Sequence, residues 1–467
     1  MKKRGIALFL VLALMLSLCA VSAVAGEEPE ETTGTTEAAD GETGADGEVT
    51  GEEGETSEEV EEEPVSPAGP DALEEDSSAW ETTLDEETQK LLDEVTRTTE
   101  KLDTISFADV ESRMRMGNLT ILSLEESVTM LKSIDYDELY EDLRDQLNSI
   151  AQGQWMMVQM GASGTLAYEQ MDQAYDAVRD QFDSIKDGEM QEDNAGAIRQ
   201  LKNLQDQIIL AGESTYIALA AMDTQEASLQ RQLASMNRTV EEMELRYNMG
   251  QVSAMQLSEI KAGQTALASG LQTLQMNLKT YKMQLELLLG AELNGGIQLG
   301  AIPEATEKQL AAMDLDQDLL TAKANSYELY EAAKTLEDEQ ETYKEAGKDH
   351  GYNEKKLEFR KAKHTWQAAQ HTYNNTIQDF ELRFRTLHAQ VLDYRQIWEA
   401  SKVSLESEKQ KFAASELKYQ QGTISLNAYL TAQDDLKAAE ESVVTAANDL
   451  FSSYNTYCWA VQHGILN

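Results

Sequence analysis

The sequence is short of most of the devices that hold a small-cored exported chain together. It has 2 cysteines in 467 residues, Cys19 and Cys458. Cys19 lies in an N-terminal apolar run, so removal of that run leaves one thiol and excludes an intrachain disulfide. Stability must therefore come from packing. Of 5 prolines in the chain, Pro29, Pro64, Pro67 and Pro70 precede residue 71, and only Pro303 follows. A chain so poor in proline can run long uninterrupted helices. Basic residues are scarce as well: 38 Lys and Arg stand against 85 Asp and Glu, a formal net charge of -47. That balance excludes nucleic acid as a natural partner, because cations are needed to displace counterions from phosphates. Anionic membrane surfaces are disfavoured on the same ground. Past the N-terminus no stretch reaches the roughly 18 to 20 uncharged apolar residues that span a bilayer.

What is present begins with a leader. Lys2, Lys3 and Arg4 precede an apolar run from Ile6 to Leu18 and then Ala23-Val24-Ala25, the small-x-small form read by signal peptidase, so residues 1–25 are expected to be removed on export. Cys19 follows Leu18, where lipid attachment requires a small residue, and is read as part of the apolar run. Residues 26–78 are rich in Glu, Asp, Thr, Gly and Pro and contain no Lys or Arg. That composition predicts a solvated, disordered segment.

From Trp80 onward apolar residues recur at the alternating three-four step of packed helices. One seam runs from Ile198 through Leu201, Gln205, Gly212, Leu219 and Val240 to Tyr247, and resumes from Leu257 to Leu288. The second half repeats it, from Trp366 through Phe380, Phe384, Leu387, Val391 and Trp398 to Tyr419, with a return from Leu426 to Val461. At about 1.5 Å per residue the two incoming helices measure roughly 75 to 80 Å. The fold class expected is all-α: two repeated long antiparallel helical hairpins, the first repeat over 79–303 and the second over 304–467. Arg246-Tyr247-Asn248-Met249-Gly250-Gln251-Val252-Ser253 aligns with Lys418-Tyr419-Gln420-Gln421-Gly422-Thr423-Ile424-Ser425. In each turn the Gly can take positive φ, the Ser can cap the outgoing helix, and the basic residue suits a helix C-terminus.

No enzyme site emerges. His350, His364, His371, His388 and His463 contain no pair at the spacing of three or four that would share a metal on a helix, and no glycine-rich phosphate loop is present. Neither catalysis, cofactor nor metal is expected. The aromatic series Tyr373, Phe380, Phe384, Tyr394, Trp398 and Phe412 lies on the seam and is read as core rather than as a ligand stripe.

A basic residue, Tyr-x-x-Gly-x-[Val/Ile]-Ser and a long Ala/Leu-rich return helix, occurring twice, resembles the TolC family of outer-membrane efflux proteins over roughly residues 104–467. The resemblance implies a homotrimer whose helices form a tunnel, a coiled-coil α-barrel. It implies passive transport, and turns that meet a periplasmic-type adaptor (membrane fusion protein) of an ABC or other efflux pump. Carried over by position, the adaptor-docking residues are Arg246, Tyr247, Gly250 and Ser253 at one turn and Lys418, Tyr419, Gly422 and Ser425 at the other. Gln256 and Ala428 stand where the family often has a gating Asp. Family members also insert membrane strands of about 9 to 11 residues at the far ends of the hairpins. The far ends expected here, Lys186 to Ala195 and Glu345 to Glu354, are short and charged. Only Gln154 to Tyr168 can be argued as a strand pair, and it reads better as a helix end and a break. The expectation is a TolC-like envelope component without the membrane barrel; the alternative is a structural coiled-coil spacer of the cell envelope. An outer-membrane channel with unrecognised strands is the third reading.

Overall fold

The computed structural model describes residues 100–466. The expected leader and acidic segment lie outside the described residues. Strand β1 (Thr104–Ile105) leads into α1 (Phe107–Gly117) and α2 (Leu119–Lys132). Helices α3 (Tyr136–Gln159) and α4 (Leu166–Lys186) form one hairpin, and α5 (Glu189–Asn248) and α6 (Ala254–Leu288) the next. Strand β2 (Gln298–Leu299), α7 (Glu307–Ala311) and α8 (Leu315–Asn325) then lead to α9 (Tyr327–His350), α10 (Leu357–Gln420) and α11 (Leu426–His463). The structure is nearly all helical, as the periodicity predicts. Helices α5 and α10 contain 60 and 64 residues, so they extend to about 90 and 96 Å, beyond the seams that announced them.

The two halves are assembled from matching joints. Helices α1 and α8 each have 11 residues. Each ends at an extended residue, Asn118 (φ -71, ψ 117) or Ser326 (φ -65, ψ 123), whose side chain then caps the next helix. Against each joint sits the glycine that ends a return helix. A Cβ on Gly290 would lie 2.1 Å from the Gly117 carbonyl oxygen, and one on Gly464 would lie 2.3 Å from the Ser326 backbone. Asparagine amides lock the contact: Asn118 Nδ2 donates to the Leu288 carbonyl at 2.9 Å, and Asn325 Nδ2 to those of Val461 and Gln462 at 3.1 and 3.0 Å.

The far ends differ from expectation in the first half. Lys186 to Ala195 is not a hairpin end; it holds only a short break in which Gly188 takes φ +85 before α5 begins. The chain reverses instead at Met160–Thr165, between α3 and α4, where Gly161 takes φ +71. The charged run around residue 187 is thus a helix junction, and the uncharged Gly-Ala-Ser-Gly stretch supplies the turn. Gln154 to Tyr168 is a helix end and a break, as its preferred reading has it. In the second half the reversal falls at Gly351–Lys356, at the edge of the expected region.

Two apolar cores share one helix. The first joins Phe107, Met114, Ile209, Tyr216 and Leu285 to Phe451, Trp459 and Ile465. The second joins Ala322, Phe380, Phe384 and Val391 to Leu450, Tyr457 and Ala460. Phe107 meets Phe451 edge to face at 4.9 Å and Tyr216 at 5.6 Å. On α10 the buried aromatics Phe380, Phe384 and Trp398 are seam residues, while Phe359 is buried ahead of the seam. On α5, Leu201, Gln205, Gly212, Leu219 and Val240 are buried as the seam requires, but so are Ile209, Leu210, Glu213, Tyr216 and Ile217. This stretch of α5 is enclosed by α1, α2, α6 and α11, so a single stripe underestimates its buried surface.

Buried carboxylates tie loops and halves together. Glu286 accepts hydrogen bonds from the backbone N–H groups of Asn294, Gly295, Gly296 and Ile297 at 2.8, 2.7, 3.1 and 3.2 Å. That cradle fixes the loop feeding β2, which pairs in parallel with β1 through Thr104 with Gln298 and Ile105 with Leu299. Glu213 accepts from Asn455 Nδ2 and Trp459 Nε1, both at 2.7 Å, across the α5–α11 contact. Burial, the largest effect, pushes its pKa up despite those donors. Two turns away on α5, Asp206 meets Arg115 at 3.0 Å and His463 at 2.9 Å. Burial opposes its ionisation, but these two partners outweigh it and hold the carboxyl below its usual range.

Glu286→Gln cannot satisfy this cradle, since an amide nitrogen would face N–H donors. The expected loss is about 3 kcal/mol, read as a lowered urea midpoint. Glu213 has the opposite pH signature from Asp206. Because the folded chain binds the Glu213 proton more tightly than the unfolded chain, its contribution falls as pH rises from the ordinary value of 4.5 through the raised one. Glu213→Gln should therefore melt above the parent at pH 8 and lose that advantage towards pH 4.5.

Candidate functional site at the paired helix turns

The eight residues singled out by the repeated motif sit at two helix turns at the opposite end of α5 and α10 from the α3–α4 and α9–α10 reversals. At the first turn α5 ends at Asn248, Gly250 takes φ +72, and Ser253 begins α6. Gln251 N–H donates back to the Arg246 carbonyl at 2.8 Å, and Gly250 N–H to that of Tyr247 at 2.9 Å. The second turn repeats these bonds, Thr423 to Lys418 at 2.9 Å and Gly422 to Tyr419 at 2.9 Å, with Gly422 at φ +69. The positive φ ends both helices where only glycine is unstrained.

Capping separates the two turns. Ser253 Oγ accepts from Gln256 N–H at 3.2 Å while Gln256 Oε1 accepts from Ser253 N–H at 3.0 Å, a reciprocal box. Gln256, at the position where the resembled family often carries a carboxylate, is thus engaged in its own helix start. Ser425 caps Ala428 N–H at 3.2 Å, but Ala428 has no side chain to reciprocate. The second turn is reinforced instead by Thr423 Oγ1 donating to the Lys418 carbonyl at 2.8 Å and by Tyr419 stacked on Tyr429 at 4.8 Å.

The structure brings the turns side by side through residues that the motif did not single out. Arg246 pairs with Glu242 one helical turn before it. The other oxygen of Glu242 accepts from Asn427 Nδ2 at 2.7 Å, linking α5 to the first turn of α11. Farther along the same face Arg238 pairs with Asp434 and Arg231 with Glu441. These residues lie off both apolar seams, so periodicity could not flag them; a basic residue at regular steps on one face of α5 was the available signal. Tyr247 and Tyr419 remain 43% and 38% exposed. Beside them Leu245, Met249, Met255, Leu417 and Leu426 also face solvent. Between α5 and α6, close to the first turn, runs a groove of about 820 Å³ lined by Ser235, Met236, Thr239, Ile260 and Gly263. Such a site offers shape, small residues and apolar contact rather than reactive groups. Among the described residues no cluster of three or more His, Cys, Asp or Glu could hold a metal ion.

No protein-family model matches the sequence, and no curated protein matches it. Solved structures do match the fold. The outer membrane protein VceC of Vibrio cholerae is 17% identical, with 58% of this chain and 74% of that one covered at a TM-score of 0.42. The CmeC outer membrane channel of Campylobacter jejuni is 16% identical, covering 62% and 68% at a TM-score of 0.45. The outer-membrane channel OprN is 12% identical, covering 77% and 90% at a TM-score of 0.50. At such identities the likeness concerns the fold alone, and it is the OprN comparison that carries it. The chain has the helical fold of the TolC-type channels, and its described residues contain no β-barrel.

Proposed function

We propose that this protein is a TolC-like component of an envelope export system, a helical conduit whose paired turns dock an adaptor protein and its pump. The observation that carries the reading is the pair of helices of 60 and 64 residues ending side by side in near-identical turns with their tyrosines and neighbouring apolar residues in water. A chain that needed length alone would have no use for two matched, apolar-rimmed turns. Fold likeness to an outer-membrane channel, OprN, supports the same class of role. In this reading each chain contributes two repeats, with the boundary near residues 303 and 304. Three chains complete the tunnel, transport is passive, and the protein performs no catalysis. The docking residues are Arg246, Tyr247, Gly250, Ser253, Lys418, Tyr419, Gly422 and Ser425, with the groove beside Gly263 as a further contact. The leader over 1–25 would deliver the chain to the envelope.

The chain expressed from Gly26 is expected to run as a trimer in light scattering. A photocrosslinker at Met249 in the source cells should capture a protein identified by mass spectrometry as a membrane-fusion-type adaptor. Introducing charge with Met249→Arg and Leu417→Arg should reduce that capture at least tenfold while leaving trimer mass and helical circular dichroism unchanged. A monomer at high concentration with no adaptor captured would overturn the proposal. Unaltered export with both turns substituted, but failure when α5 and α10 are shortened by matched heptads, would favour the spacer.

A further inference from the structure

The α3–α4 reversal carries a feature that the conduit reading does not use. No charged residue occurs between Asp145 and Glu169, the longest such stretch in a sequence that is 26% charged. The structure places this stretch at the end of a helical hairpin, where its large apolar side chains point outward. Trp155, Met160 and Leu166 are 62%, 73% and 70% exposed, and Met156 and Val158 are more than half exposed. The hairpin does not need them for its own packing. Tyr140 stacks on Phe182 at 4.7 Å, Gly153 admits the Met171 side chain, and Gln154 Nε2 donates to Asp172 at 3.2 Å. Nor is this the general character of reversals at that end. The α9–α10 turn runs through Lys348, Asp349, His350, Glu354, Lys355 and Lys356.

We infer that the α3–α4 tip seats in the interfacial layer of an uncharged or zwitterionic lipid surface. Its apolar side chains are spread around the helix. Trp155, Met156 and Val158 stand one and two residues apart, and such steps point to different sides of a helix turning every 3.6 residues. A protein partner would cover one face and leave the opposite face in water, whereas a lipid layer surrounds an inserted tip on all sides. Depth agrees. Trp155 lies five residues before Met160, about 7 to 8 Å along the axis, within the 5 to 10 Å that interfacial helices penetrate. Tryptophan is the residue that favours that boundary. On the return helix Glu169 stands three residues after Leu166 and limits insertion to about one helical turn. No helix among the described residues is long and apolar enough to cross a membrane, so the contact is a seat and not a span.

Charge sets the lipid class. The residues flanking the tip are mainly acidic: Glu141, Asp142 and Asp145 on α3, and Glu169, Asp172 and Asp176 on α4, with Arg144 the basic exception. They repel an anionic surface. The inference stands on this hairpin alone and does not require adaptor docking at the opposite turns.

The test is flotation of the chain expressed from Gly26, so that no leader can carry it to lipid, with vesicles of pure phosphatidylcholine or with 30 mol% phosphatidylglycerol, about a third anionic. Binding to phosphatidylcholine is expected, with quenching of tryptophan emission by lipids brominated near the headgroup that is lost in Trp155→Phe. Anionic vesicles should bind several-fold less. Trp155→Gln with Met160→Gln and Leu166→Gln should reduce flotation at least tenfold while circular dichroism and trimer mass stay unchanged. Flotation that survives the triple substitution, or no flotation of the parent, overturns the inference. If the parent does not float and the triple variant lowers its assembly mass, the tip is a contact between copies instead. Loss of adaptor capture with lipid binding retained would count against the proposed function and leave this inference intact.

Discussion

The arrangement depends on α11 being apolar on two sides. Leu450, Tyr457 and Ala460 face the second core while Phe451 and Trp459, with Ile465 just beyond the helix end, enter the first. A helix with one apolar stripe can line the edge of a bundle, but one with two must lie between layers. The last helix of the chain is therefore the wall common to both halves, and neither core closes without it. Hydrogen bonding adds direction to this packing. Glu213 can be buried only where Asn455 and Trp459 supply donors, so sliding α11 along α5 by a turn would leave a carboxylate unpaired at a cost of several kcal/mol. The raised pKa of that group reflects the burial that makes it selective for one register.

Stability is distributed unevenly along the long helices as a consequence. Near the shared core they are enclosed by α1, α2 and α8, and the glycines at 290 and 464 allow backbones to meet. Towards the paired turns α5 and α11 keep only their hairpin partners and each other. There the lateral contact is polar: Arg231 with Glu441, Arg238 with Asp434, and Glu242 with Asn427. Such pairs are partly exposed, screened by salt and individually modest in energy. A region held this way opens at lower free energy than the core, which would suit the docking proposed for these turns. At the opposite end the two reversals share a geometry but not a surface, one uncharged and apolar, the other dense in charge.

Much of this was legible in the residues, because helical packing writes itself as a period. The three-four spacing located the long helices, the aromatic seam of α10 and both turns, and Tyr-x-x-Gly-x-[Val/Ile]-Ser placed Gly250 and Gly422 where positive φ is needed. The reading failed where the far end of the first hairpin was placed by correspondence with the resembled family. Lys186 to Ala195 is a helix junction, since charged residues are as much at home on a solvated helix as in a loop. It also missed Glu213, Glu242 and Asn427, whose partners lie 242, 185 and 185 positions away in the chain; no periodic pattern links residues so far apart.

By itself the sequence determined the all-helical class, the repeated hairpins and the chemistry of the turns, because each of these depends on local propensity, spacing or composition. Tertiary structure alone decided which hairpin lies against which, that α11 serves two cores, that Gln256 is engaged in a capping box, and that the uncharged stretch before Glu169 stands exposed at a tip. Those outcomes depend on which faces remain uncovered after the helices have packed, a property of the whole arrangement that no single segment encodes.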